Sequence, residues 1–227
     1  MDKKQSSLLL ASQSPRRREL ISLLGVDFEV SSADVDESLL PNESPAKYVS
    51  RLAEVKARAL AEKGNLIIGS DTSVADAGEI LGKPRDKHEA EMMLKKLRGL
   101  THQVYTAIAL YDSESDQVFS ALSISNVPMR NYSDAEIKSY IATGDPMDKA
   151  GGYAIQHPDF HPVENFSGCF ASVMGLPLCH LTRMLREAGE PVDAEMPQRC
   201  QTALNYACDI SDTILRGDDS AKDIGIK

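Results

Sequence analysis

Leu8-Leu9-Leu10-Ala11-Ser12-Gln13-Ser14-Pro15-Arg16-Arg17-Arg18-Glu19-Leu20 is the stretch whose reading decides the fold. Leu8 to Ala11 reads as a buried strand and Ser12-Gln13-Ser14 as a tight turn. Ser14 is a good helix N-cap, and Pro15 falls at the first helical position, where a missing N–H costs nothing. The helix that follows is predicted to turn Leu20, Ile21, Leu23 and Leu24 to the core. Its charge runs against rule. A helix N-terminus favours Asp or Glu by roughly 0.3–1 kcal/mol each, yet the first turn here holds Arg16, Arg17 and Arg18. Free backbone N–H groups, a positive dipole and clustered arginines make a site for an anion.

Working outward, Phe28 to Ser32 reads as a strand and is followed by the acidic run Asp34-Val35-Asp36-Glu37. Ser44-Pro45 opens a helix predicted to run to about Lys63, with Tyr48, Leu52, Val55, Ala59 and Leu60 inward. On that phasing Lys56, taken alone, is a solvated helix residue. Asn65 to Val74 reads as a central strand buried on both faces. Within it Asp71 follows Leu66-Ile67-Ile68-Gly69-Ser70, and a carboxylate in such surroundings needs a partner. Asp76-Ala77-Gly78-Glu79 is a hairpin turn, Lys83 lies between Gly82 and Pro84, and Asp86 caps a helix to about Arg98. Two long strands, Gln103 to Tyr111 and Phe119 to Met129, precede a capping box at Ser133/Glu136. Ser167 to Val173 reads as a strand, Pro177 to Ala188 as a helix, and Gln198 to Arg216 as one further helix, with the last ten residues frayed.

The totals bound the function. The chain has 227 residues and a net charge of −9, with a pI of about 5.1. A general nucleic-acid binder is usually basic, so the arginine cluster is aimed at a small anion. Cys169, Cys179, Cys200 and Cys208 form no C-x-x-C pair, and a zinc site from them is not expected. Buried free thiols fit a reducing compartment. No stretch approaches the ~20 apolar residues of a membrane span. Asp34, Asp36, Glu37, Asp71 and Asp86, near predicted strand ends or loops, are the candidate carboxylates. Two of them converging with phosphate oxygens would hold Mg²⁺, and a water oriented there could attack phosphorus. Lys56, Lys83 and Lys149 are candidate point charges, the last as an ion pair with Asp148. His157 and His161 read as loop histidines rather than ligands, and Ser12 and Ser14 lack the surroundings of a nucleophile.

Four segments in order carry a resemblance: Ala11-Ser12-Gln13-Ser14-Pro15-Arg16-Arg17, Gly69-Ser70-Asp71-Thr72-Ser73-Val74, Gly82-Lys83-Pro84-Arg85-Asp86, and Asp148-Lys149-Ala150-Gly151-Gly152-Tyr153-Ala154-Ile155-Gln156. Together they resemble the Maf family, the septum-formation-inhibitor-like nucleotide pyrophosphatases, over roughly Leu8 to Ala188. The resemblance implies an α/β fold with a long mixed twisted sheet and two lobes around a cleft, similar to inosine triphosphate pyrophosphatases. It implies hydrolysis of a nucleoside triphosphate to monophosphate and pyrophosphate with Mg²⁺ or Mn²⁺, in a cytoplasmic homodimer. Carried over by position, Asp71 is the proton acceptor, and Arg16, Thr72 and Gln156 mark the dTTP- and UTP-preferring branch. Ser12, Arg17, Lys56 and Lys83 are phosphate ligands, and Glu37 joins Asp71 at the metal. A Gln amide offers one donor and one acceptor, matching two neighbouring groups of a uracil or thymine edge. The sequence departs from the family at His157-Pro158, where glycine is common, and through the loop to Asn165. Residues 1–189 are expected to form the Maf-like domain and 190–227 a partly helical extension. The rival expectation is a regulator of septum formation that binds nucleotide or nucleic acid without turning it over.

Overall fold

A computed structural model describes residues 7–62 and 66–217. The opening stretch folds as read. β1 (Leu8–Ala11) is buried throughout. α1 (Pro15–Ser22) starts at Ser14, whose hydroxyl accepts from the Arg17 N–H. Leu20, Ile21 and Leu24 are fully buried, while Leu23 is only partly so. β2 (Phe28–Ser31), α2 (Pro45–Arg58), β3 (Leu66–Asp76), β4 (Glu79–Leu81), α3 (Lys87–Leu97), β5 (Thr101–Asp112), β6 (Gln117–Pro128) and α4 (Asp134–Ala142) follow. The capping box at Ser133 and Glu136 is formed as expected. Two 3-10 turns, α5 (Phe170–Met174), α6 (Leu178–Glu187), α7 (Met196–Leu204) and α8 (Ser211–Arg216) complete the described chain.

The fold is α/β with a mixed six-stranded sheet in the order β2-β1-β3-β5-β6, β4 pairing the far end of β3. β1 runs parallel to β2 and β3, whereas β4 and β5 run antiparallel to β3 and β6 antiparallel to β5. One face carries a cluster that includes Leu10, Ile68, Ile108, Leu94 and Leu181. The other carries Leu9, Ile67, Ala107 and Ala109 beneath Val49, Ala53 and Ala57 of α2.

The register contains a gap that positions everything else. β1 stays with β3 only as far as Leu10–Ile68, and β4 joins β3 only from Val74. β5 accompanies β3 throughout, from Leu66 to Ala75. The edge Gly69–Ser73 therefore lies open on one side, in the middle of a strand that is otherwise covered. Asp71, expected near a strand end, lies mid-strand instead, and the end that matters is that of the neighbouring β1.

Three further readings are corrected. α2 ends at Arg58 rather than near Lys63, and its inward face is Val49, Leu52, Ala53, Lys56 and Ala57. Val55 is exposed. The reason is close packing. A Cβ on Gly69 would lie 1.9 Å from the Ala53 carbonyl oxygen, so α2 presents its alanines to a glycine, and alanine is a weak signal in a hydrophobic pattern. Ser167 to Val173 is not a strand: Cys169 caps α5, and Gly175 ends it in a left-handed conformation (φ 112°). Gln198 to Arg216 is not one helix but α7 and α8, broken at Asn205 (φ 47°). The frayed tail expected at the last ten residues lies outside the described residues.

Candidate active site

The open edge of β3 faces a cleft of about 760 Å³ whose walls include the Ser12–Arg17 turn, Glu37, Lys56, Asp71, Lys83 and Gln156. Arg16 and Asp71 share this hollow. Its two walls are built differently.

On the acidic wall, odd-numbered β3 residues point towards α2. Asp71 is 7% exposed, and its Oδ1 accepts from Lys56 Nζ at 2.7 Å. The same ammonium meets Glu37 Oε1 at 2.6 Å. Lys56, read from helical phasing as solvated, is thus a buried cation between two carboxylates, because the close packing of α2 rotates it inward. Burial lifts the Asp71 carboxyl above the ordinary aspartate range, although Lys56 and Arg17 pull the other way. At Glu37 burial acts in the same sense but is outweighed by the Lys56 hydrogen bond and by the charges of Lys56, Lys83 and Arg17. That carboxyl titrates below its usual value. The two acids are therefore driven apart in acidity, as in sites where one of a pair must take up a proton. The Tyr48 hydroxyl donates to the Glu37 carbonyl at 2.9 Å and anchors the acidic loop. Helical phasing places Tyr48 in the core and misses this role. Its position one turn into the helix behind an acidic loop is the available signal.

On the basic wall, Arg17 is turned to the protein. Its Nε donates to the Gly175 carbonyl at 2.9 Å, Nη1 to the Ser70 carbonyl at 2.8 Å and to Ser12 Oγ at 3.4 Å, and Nη2 to Thr72 Oγ1 at 3.2 Å. Burial draws its guanidinium below its ordinary value, with Asp71 opposing. Ser12 also accepts from the Ser14 N–H at 3.2 Å, so its hydroxyl shapes the turn from within. Thr72 links Arg17 to Thr106, whose hydroxyl donates to it at 3.1 Å. Ser70, fully buried, donates to the Gly175 carbonyl. Nothing local in the sequence singles out this pair, because the contact joins positions 105 apart. Arg16 instead reaches into the cleft, where it meets Asp148 at 3.3 Å with that carboxylate 61% exposed. Lys83 and Gln156 are exposed on the rim.

Other candidates resolve locally. Asp36 accepts from the Ser38 N–H, and Asp86 caps α3. Lys149 is buried against Asp145 and Asp148, an ion pair as read. His157 Nδ1 accepts from the Phe160 N–H at 3.0 Å, holding the altered loop after Gln156. Among the described residues no cluster of three or more His, Cys, Asp or Glu side chains is suited to hold a metal. Asp71 and Glu37 converge on the Lys56 ammonium, and their oxygens are of the kind a hard divalent cation takes, one that needs few protein ligands and fills its remaining positions with water and phosphate.

A mixed sheet with an open central edge, a paired-acid wall and an arginine-bearing helix start thus form one cleft lined by charges of both signs. The chain belongs to the Maf family: the family profile, described as "Maf-like protein", matches residues 7–188. A relative from Geotalea uraniireducens named "dTTP/UTP pyrophosphatase" is 48% identical over 187 residues, covering 82% of this chain and 96% of its own length. One of the same name from Geobacter sulfurreducens is 45% identical, covering 80% and 96%. Another from Hahella chejuensis is 46% identical, covering 80% and 92%. Among solved structures, a HAM1 protein from Coxiella burnetii superposes with a TM-score of 0.41 at 18% identity, over 56% of this chain and 74% of that one.

Proposed function

We propose that this chain hydrolyses nucleoside triphosphates, with dTTP, UTP or modified pyrimidine triphosphates as substrates, releasing the monophosphate and pyrophosphate. The observation that carries the reading is the buried Asp71 carboxylate on the open edge of β3, paired through Lys56 with Glu37 and facing Arg16 across the cleft. The names of the relatives support the same substrates.

In this mechanism the triphosphate lies between the walls, its α-phosphorus beside Asp71. A water molecule bonds to that phosphorus, its proton passes to Asp71, and the bond to the bridging oxygen of the β-phosphate breaks. The electron pair leaves with pyrophosphate. A raised aspartate pKa suits a general base. Lys56 holds the carboxylate in place and offsets phosphate charge, and Lys83 adds charge at the rim. Arg16 exchanges its exposed bridge to Asp148, a contact worth about 0–1 kcal/mol, for a phosphate oxygen. Arg17, committed to protein acceptors, positions the turn and lends it charge. Glu37 and Asp71 would hold Mg²⁺ or Mn²⁺, which supplies charge neutralisation at the phosphates when bound. Gln156, on the rim, pairs with the base edge. A cytosine there leaves a mismatch of roughly 1–3 kcal/mol.

The partner is a small nucleotide, and the net charge of −9 disfavours nucleic acid. Among the described residues no helix is long and apolar enough to cross a membrane. A cytoplasmic homodimer is what the family resemblance implies, and sedimentation measures the oligomeric state. The deciding experiment incubates the purified chain with a panel of triphosphates and Mg²⁺ and follows monophosphate and pyrophosphate. Turnover confined to dTTP, UTP and their modified forms is the expected result. Binding without hydrolysis under any metal would establish the regulatory alternative.

A further inference from the structure

The family profile stops at residue 188, and this chain continues beyond it. Yet α7 and α8 are docked rather than appended: Met196 and Ile214 are fully buried. From α7, Arg199 reaches back to the end of α1. Its Nε donates to the Leu23 carbonyl at 3.0 Å and Nη2 to the Leu24 carbonyl at 3.2 Å, while Nη1 is anchored by Asp193 at 2.6 Å. Carbonyls at a helix C-terminus lack partners in the helix, and the dipole there favours a cation. Gly25 makes room: with φ +71°, its missing Cβ would lie 3.2 Å from Arg199 Nη2. The other end of α1 is the turn that carries Arg16 and Arg17.

A second grip lies beside the first. Tyr206 packs against Phe166 and Phe170, with ring centroids 5.7 and 5.2 Å away, and Ser167 Oγ donates to Asp209 at 3.0 Å. These contacts hold the segment entering α5, and α5 ends at Gly175, the residue whose carbonyl receives Arg17 Nε. The segment after Ala188 thus holds both partners of the Arg17–Gly175 contact from behind, and the cleft lining includes none of its residues.

We propose that residues 190–217 brace the anion-binding turn, with Arg199 as a positioning residue for the phosphate end of the ligand. The inference rests on the function proposed above, but its primary readout does not need turnover. Inorganic pyrophosphate with Mg²⁺ is titrated into the full chain and its Arg199→Ala, Arg199→Lys and Asp193→Asn variants, and KM and kcat are measured with dTTP. Arg199→Ala weakens pyrophosphate binding and raises KM about five- to tenfold, the size of a lost helix-end cation in a partly buried site, with kcat changed less than twofold. Arg199→Lys restores part of the loss, keeping the charge but not the two-carbonyl fork. Asp193→Asn, which leaves both carbonyl bonds in place, gives a smaller loss in the same direction and serves if Arg199→Ala does not fold. Unchanged pyrophosphate affinity and KM in the folded variants, with only a lower melting temperature, would overturn the proposal by making the extension merely structural. A fall in kcat at unchanged affinity would overturn it as well. Pyrophosphate binding by a wild-type chain that hydrolyses no triphosphate would remove the proposed function while leaving the brace to be decided by the titrations.

Discussion

The two walls of the cleft carry charge of opposite sign and handle it in opposite ways. The acidic wall concentrates its groups on one ammonium: Asp71 and Glu37 both close on Lys56 within 2.7 Å. The basic wall divides its groups by task. Arg17 is committed to protein acceptors, while Arg16 keeps, among the described residues, an exposed bridge to Asp148. Two neighbouring arginines of identical chemistry are therefore placed differently, one engaged with protein acceptors and one turned to the cleft, where we propose that it grips the phosphate. The lesson is that desolvation and hydrogen-bond geometry, rather than residue type, separate a reactive group from a structural one.

That contrast can be broken by substitution. If the acidic wall carries the chemistry, Asp71→Asn lowers kcat by about 10²–10⁴-fold, the range of general base catalysis, with an unchanged circular dichroism spectrum; a variant of near-full activity would disqualify Asp71 as the base. Arg17→Lys tests the strut. A lysine cannot reproduce a planar fork with several carbonyl partners, so urea denaturation should show a loss of about 2–4 kcal/mol, with activity falling alongside. Stability equal to wild type would mean that Arg17 serves the ligand after all. Arg16→Ala sharpens the same comparison from the other side. Its bridge is exposed, so the denaturation midpoint should stay in place while KM for the triphosphate rises about tenfold, as expected of one charge-assisted contact.

The smallest effect is in the pH profile. Because the folded pKa of Asp71 is raised, the base is lost as pH falls through a value above the ~3.9 of an unperturbed aspartate. In the metal-free chain the Asp71 carboxyl resonance should therefore titrate above that value by NMR. Lys56 holds the Asp71 pKa down, so Lys56→Met should move that titration still higher. A midpoint that stays put in that variant would show that Lys56 does not set it.

Much of this was legible without coordinates. Ser14 and Pro15 announce a helix start, and Ser133 with Glu136 announces another, because capping is local chemistry repeated within one turn. The four motif segments named the family and pointed to Asp71. The phase of α2 was not legible, since Gly69 of β3 and Ala53 of α2 meet where the helix packs on the sheet and apolar counting undervalues small residues. Nor was the helix at Phe170–Met174, where a short apolar run between glycines suits either structure. The docking of the extension rests on Arg199 meeting the Leu23 carbonyl 176 residues away, a contact with no pattern to announce it.

By itself, then, the amino-acid order determined the elements up to α4 and the inventory of charged groups, because helix caps, strand runs and turns depend on neighbours a few residues apart. The tertiary structure alone decided where each charge is placed and what it pairs with. It ends the β1–β3 pairing at Leu10 so that β3 has an open edge, rotates Lys56 inward between two acids, and binds Arg17 to Gly175. Those outcomes depend on which distant groups meet out of water, where an unpaired charge is costly and a paired one is held in place.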